Sequence, residues 1–133
     1  MGKLSSIILM AFTFVLTSMV FSTIVKSQSL NCAKFRSGTF TMKFKGGSEI
    51  IERYGRYQRE TVVGTKIPLS FIITWTDDCH YTLKPMPSAY KYLNGASEDD
   101  VMSVTIIKTT KNSYTQISTL RKIRVTDEMI KIK

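Results

Sequence analysis

From about residue 39 onward, apolar and polar side chains alternate with a period of two, in short runs bounded by turn residues. That spacing sends successive side chains to opposite faces and predicts half-buried antiparallel strands. Helical periodicity is almost absent. Thr39 to Lys45 sets Phe40, Met42 and Phe44 on one face and Thr39, Thr41, Lys43 and Lys45 on the other. Gly46-Gly47 follows as a hairpin signal, since both residues accept positive φ, and Ser48 to Tyr54 returns as a second strand. Gly55-Arg56 predicts another tight turn into Tyr57 to Val63, with Arg53 opposite Gln58 and Glu52 opposite Arg59. After Gly64-Thr65, the run Ile67 to Thr76 aligns Leu69, Phe71, Ile73 and Trp75 on one face. Pro68 marks an edge or entry position in it. Thr76-Asp77-Asp78 then turns the chain into Cys79 to Lys84, where Cys79, Tyr81 and Leu83 share a face.

Pro85 to Asp100 breaks the rhythm with two prolines, Asn94-Gly95 and the acidic cluster Glu98-Asp99-Asp100. It is the one long connection, of the kind that often carries function. Val101 to Thr110 resumes as a strand, Lys111-Asn112 turns, Tyr114 to Leu120 returns, Arg121 to Val125 continues or follows it, and Met129 to Lys133 closes the chain. The expected fold is all-β: an antiparallel meander of about eight strands, seven to nine in range. It buries one face by curling into a small calycin- or lipocalin-like barrel or curled sheet, which also removes exposed edges. A β-sandwich is the structural competitor. An eight-stranded barrel is either filled by side chains or holds one small ligand.

Before this domain comes a leader. Met1-Gly2-Lys3 is a basic start, Leu4 to Val25 contains no charged residue, and Val25-Lys26-Ser27 offers a cleavage site. Residues 1–27 are therefore expected to be a signal peptide, and residues 28–133 a single exported domain, periplasmic or extracellular. The apolar run is also long enough for an uncleaved N-terminal anchor, the one way in which this chain is expected to meet a membrane. Export places Cys32 and Cys79 in an oxidising compartment, where an even count implies pairing. The whole chain carries +9, and loss of Lys3 and Lys26 makes the remainder +7. The basic residues are scattered along the strands, with only a weak cluster at Arg121-Lys122-Ile123-Arg124. Such a surface suits solvent or an anionic envelope component, and no nucleic-acid partner is expected.

Four blocks carry a resemblance: Cys32-x-x-Phe35-x-x-Gly38-x-Phe40, Ile51-x-Arg53, Gln58-x-Glu60 and Trp75-x-x-Asp78-Cys79-x-Tyr81-x-Leu83. Over residues 32–83 the chain resembles a group of short exported proteins of Bacteroidetes-type bacteria, which share a leader, the cysteine pair and the Trp-Asp-Cys-Tyr-Leu block. The resemblance implies an exported, disulfide-linked β domain and assigns no activity.

Signals for catalysis are sparse. Nucleophilic chemistry needs a histidine beside Ser or Cys and a carboxylate, and alternation sets the single His80 on the face opposite Cys79 and Tyr81. The Asp77-Asp78 and Glu98-Asp99-Asp100 clusters lack calcium-loop spacing, and two cysteines with one histidine fall short of a structural zinc set. No phosphate loop is present, so no cofactor or metal is expected and a non-enzymatic binding protein is. An enzyme would have to draw on Asp or Glu pairs at strand ends. The candidate ligand-binding residues are Arg53, Gln58, Glu60, Trp75 and Tyr81. If Arg53, Gln58 and Glu60 face the interior, they form a polar cluster in an apolar cavity, with Arg53 able to receive a ligand carboxylate. If they face outward, they are an ordinary cross-strand network. The expected partner is a small amphipathic or lipid-like ligand, or, for a barrel without a cavity, another envelope protein.

Overall fold

The computed structural model of the protein describes residues 29–133. The leader expected over residues 1–27 and the new N-terminus at Gln28 lie outside the described residues. Eight strands follow one another: β1 (Gly38–Phe44), β2 (Gly47–Tyr54), β3 (Tyr57–Val62), β4 (Leu69–Asp77), β5 (His80–Pro85), β6 (Met102–Thr109), β7 (Ser113–Leu120) and β8 (Ile123–Lys131). Each pairs antiparallel with its neighbour, and β8 pairs back onto β1. The meander is thus a closed barrel, not a sandwich. Closure gives every strand a paired neighbour on each side, although the closing seam is short and joins Phe40–Met42 to Met129–Lys131.

The closing seam explains the glycine that begins β1. Gly38 has φ +126°, and a Cβ there would run into the Lys133 carbonyl oxygen. Thr39 N–H donates to that same carbonyl at 3.0 Å, so the seam needs the backbone approach that only glycine permits. The hairpin after β2 has the expected register: Arg53 faces Gln58, Glu52 faces Arg59, and Gly55 takes φ +58°. Three local expectations are corrected. The β1–β2 turn is Lys45-Gly46, one residue earlier than Gly46-Gly47, because Gly47 already pairs with Phe44. Phe44 belongs to the inward alternation but lies at the rim, 41% exposed. Ile123 to Lys131 is one unbroken strand entered by a turn at Arg121-Lys122, since β8 must serve both β7 and β1 to close the barrel.

Meander topology sorts the connections to two ends. The tight β2–β3, β4–β5 and β6–β7 turns lie at one, and the β1–β2, β3–β4, long β5–β6 and β7–β8 connections lie at the other. The first end is sealed. A 3₁₀ turn at Ala33–Phe35 inserts Phe35, fully buried, 5.0 Å from the Tyr114 ring and 6.4 Å from Phe40. Cys32 and Cys79 form a disulfide that fastens this plug to the β4–β5 turn. Around it, Lys34 Nζ donates to the Thr110 and Lys111 carbonyls, Lys131 Nζ donates to the Lys34 carbonyl, and Arg36 pairs with Asp78 at 2.8 Å. Above the plug, Phe40, Ile51, Ile73, Tyr81, Val104, Ile106, Tyr114 and Met129 form a packed, buried core.

The crosslink closes a loop of about 48 residues, and chain entropy assigns it roughly 3–4 kcal/mol. Cys32→Ser/Cys79→Ser is expected to lower the free energy of unfolding by that amount in urea titrations. Amide exchange should quicken first in residues 31–36, and a loss below 1 kcal/mol would mean the plug holds without its covalent tie.

Candidate functional site

The barrel interior carries charge. Arg53 projects inward from β2 and is 3% exposed. Its Nε donates to Gln58 Oε1 at 2.7 Å, its Nη1 to the Phe35 carbonyl at 3.0 Å, and its Nη2 to the Tyr81 hydroxyl at 2.7 Å. Four aromatic faces surround the guanidinium carbon: Tyr81 at 4.7 Å, Phe40 at 4.9 Å, Tyr114 at 5.5 Å and Trp75 at 5.8 Å. A buried cation needs compensation of this kind, here from oxygen acceptors and ring quadrupoles in place of a touching carboxylate.

The network has a fixed polarity. Gln58 Oε1 accepts from Arg53, which orients its amide to donate through Nε2 to Glu60 Oε1. Tyr81 accepts from Arg53 and therefore donates to Gln116 Oε1 at 2.6 Å, and Gln116 Nε2 donates to Ser118 Oγ at 3.3 Å. Burial holds the Tyr81 phenol proton well above the ordinary tyrosine range, with the Arg53 charge pulling the other way. Two branches thus rise from Arg53 toward the second end of the barrel, one ending at Glu60 and the other at Ser118.

Both branches surface in cavities. One, of about 340 Å³, is walled by Met42, Met102, Leu120, Ile123 and Val125, with Gln116, Ser118, Arg121 and Asp127 as its polar groups. A second, of about 320 Å³, lies under the long loop, with Leu69, Phe71, Leu83, Leu93 and Glu60 in its wall. They share Met102, Leu120 and Arg121, so those side chains divide one hollow into two lobes. A smaller side pocket of about 170 Å³ adjoins the second lobe through Glu60 and Leu69 and includes Glu49 and Tyr92. At the rim, Arg121 on the β7–β8 turn pairs with Asp100 of the long loop at 2.7 Å.

Three inward carboxylates mark the hollow half. Glu60 is pushed up to about 7, first by burial and then by Glu49, while the Gln58 hydrogen bond and the Arg53 charge pull it down. Burial and the Asp127 charge raise Glu49, and burial raises Asp127. Among the described residues no cluster of three or more His, Cys, Asp and Glu side chains is arranged to hold a metal ion.

The five candidate residues separate between the two halves. Arg53, Gln58, Trp75 and Tyr81 belong to the sealed half, and the Trp75 ring lies 4.5 Å from the Tyr81 ring at a tilt of 45°. Glu60 alone lines the lobed cavity. Sequence reasoning missed Glu49, Gln116, Ser118 and Asp127. Their signal was present as a defect: each is a polar side chain at an inward position of an otherwise apolar alternation. His80 is exposed and pairs with Asp77 at 2.8 Å across the β4–β5 turn. No protein-family model matches the chain, and no curated protein matches it.

Replacing Arg53 by Met would leave the Phe35 carbonyl, Gln58 and Tyr81 without their donor, and a loss of about 3 kcal/mol or more is expected in urea unfolding. Arg53→Lys should fall near it, because one ammonium cannot reach three acceptors in the guanidinium geometry. A lysine variant within about 0.5 kcal/mol of the parent would show that charge alone suffices.

Glu60 also sets a pH dependence. An unperturbed glutamate ionises near 4.5 and this one near 7, so between those values the folded state holds the extra proton. Its contribution to stability is therefore complete below the lower value and declines as pH rises through the window. Urea midpoints at pH 5 and pH 8 should differ less for Glu60→Gln than for the parent, and an unchanged difference would count against the buried carboxyl.

Proposed function

We propose that the protein is an exported, non-enzymatic carrier that takes the apolar part of a small amphipathic or lipid-like molecule into the hollow half of its barrel. The observation that carries this reading is the pair of adjoining apolar lobes, about 340 and 320 Å³, placed at the end where the long β5–β6 loop reaches across. Pockets of this size, mostly apolar with a few convergent polar groups, suit drug-sized ligands. The other half of the same interior is filled, so the hollow is not a general looseness of packing.

Rigidity supports the reading as well. The disulfide-tied plug and the Arg53 network hold the floor of the cavity, while the β5–β6 loop and the β7–β8 turn form its rim. A preformed cavity spares a ligand part of the ordering cost of binding. Export is supported by the leader pattern and by the disulfide, which belongs to an oxidising compartment.

N-phenyl-1-naphthylamine, a neutral apolar dye that brightens out of water, tests this directly. Saturable binding at micromolar concentrations is expected, with Leu120→Trp, which fills the partition between the lobes, weakening it by about tenfold or more. A parent protein that leaves the dye dark up to its solubility limit would end the carrier reading and favour the +7 exterior as the binding surface for another envelope protein.

A further inference from the structure

The two ends of the barrel differ in what their turns expose. All four connections at the hollow end hold a large apolar residue in solvent: Phe44 beside the β1–β2 turn, Val63 and Ile67 between β3 and β4, Tyr92 in the long loop and Ile123 after the β7–β8 turn. Ile123, 69% exposed, and Val63, 59% exposed, are the two most exposed large apolar side chains among the described residues. At the sealed end the β4–β5 and β6–β7 turns present Asp77, Asp78, Lys111 and Asn112, and only the β2–β3 turn carries exposed aromatics, Tyr54 and Tyr57. Single exposed apolar residues are ordinary, but one on every connection around a single mouth is a patch with a direction.

Charge accompanies the apolar tips. Lys43 and Lys45 flank Phe44, Lys66 precedes Ile67, Lys91 precedes Tyr92 with its Nζ 4.9 Å from the ring centre, and Lys122 precedes Ile123. All of these lysines are exposed, and none enters an ion pair among the described residues. Arg121 adds a cation that Asp100 offsets, and Glu98 and Asp99 of the long loop are the exposed acids of these connections. The wall between the two ends is polar: Thr41, Glu52, Arg59, Thr82, Thr105 and Glu128 alternate with the inward positions. Such a wall does not suit hydrocarbon, so lipid contact falls to an end of the barrel.

We propose that the hollow end of the barrel docks on an anionic lipid bilayer, with Phe44, Val63, Ile67, Tyr92 and Ile123 inserted at the boundary of headgroups and acyl chains and the neighbouring lysines among the headgroups. Apolar insertion and attraction to anionic lipid add in interfacial binding. A lysine stem lies along hydrocarbon while its ammonium reaches the headgroups, and tyrosine favours the same boundary. Docking in this orientation turns the cavities toward the bilayer: Ile123 walls the larger lobe, and Ile67 and Tyr92 border the side pocket. A carried lipid-like molecule would then pass between membrane and barrel at the mouth, but the docking itself does not rest on the carrier reading.

Vesicle sedimentation of the disulfide-linked domain, residues 28–133, tests the proposal, since the plug and all eight strands lie within that span. Binding to vesicles of equal parts phosphatidylglycerol and phosphatidylcholine is expected to be about tenfold or more tighter than to phosphatidylcholine alone, and to weaken as salt rises from about 0.05 M to about 0.5 M. Lys45→Glu/Lys66→Glu/Lys122→Glu should lower that affinity by about tenfold or more, whereas Arg56→Glu/Lys108→Glu/Lys111→Glu, the same change of charge placed toward the sealed end, should lower it by less than about threefold. Circular dichroism checks that both variants fold. Tryptophan emission of Val63→Trp should move to the blue on anionic vesicles, while that of the parent, from Trp75, stays in place. A parent that fails to sediment with anionic vesicles at low salt would overturn the docking and leave the apolar tips to a protein surface. Equal losses in the two triple variants would reduce the binding to net charge and overturn the orientation, and an unshifted Val63→Trp would overturn the insertion. Dye binding by the parent judges the carrier reading separately.

Discussion

The permanent cation Arg53 is buried inside the sealed half of this barrel, and the arrangement of the interior follows from keeping it satisfied. Arg53 cannot shed its charge, so three oxygen acceptors and four aromatic faces are gathered around it. One acceptor is the Phe35 carbonyl, which belongs to the N-terminal plug and not to a strand. The plug therefore does two things at once. It fills the end of the barrel with an aromatic ring, and it completes the coordination of the charge above it. The disulfide keeps that carbonyl where the guanidinium needs it.

Satisfaction of Arg53 also explains why the other half can remain hollow. Hydrogen bonds leave the guanidinium in a fixed direction, through Gln58 to Glu60 and through Tyr81 to Gln116 and Ser118. These chains bring polar atoms to the cavity floor, and polar atoms in a floor cannot be covered by methyl groups without loss of hydrogen bonding. The lobes are apolar at the sides, where Met102 and Leu120 stand, and polar at the base. Lysine and arginine are mostly outside, and Glu49, Glu60 and Asp127 face the hollow half.

The rim joins elements far apart in sequence. Arg121 takes φ +56° in the tight β7–β8 turn, and its guanidinium crosses to Asp100 at the end of the long loop. Asp100 also accepts from the Ser97 N–H, which organises the loop end locally, so its carboxylate stays below the usual range. An exposed pair of this kind contributes little stability. Its consequence is positional, since it sets the spacing between the loop and the turn that flank both lobes.

Alternation with turn residues at regular intervals specified an antiparallel meander of about eight strands, which could bury one face either as a closed or curled barrel or as a sandwich. The Arg53–Gln58 and Glu52–Arg59 registers were legible because Gly55-Arg56 fixes a two-residue turn, and turn length fixes register. The pairing of Cys32 with Cys79 was legible from an even cysteine count together with the export expected from the leader pattern. Inside-versus-outside for Arg53 was not, since alternation assigns residues to two faces without saying which one the barrel encloses. Tertiary closure decided it. Closure also decided that Phe44 lies at a rim, that Ile123 to Lys131 is one strand, and that Glu49, Glu60, Gln116, Ser118 and Asp127 share one space. The sequence separations between these residues are long, and their juxtaposition depends on the curvature and stagger of eight strands together, a property no local pattern carries.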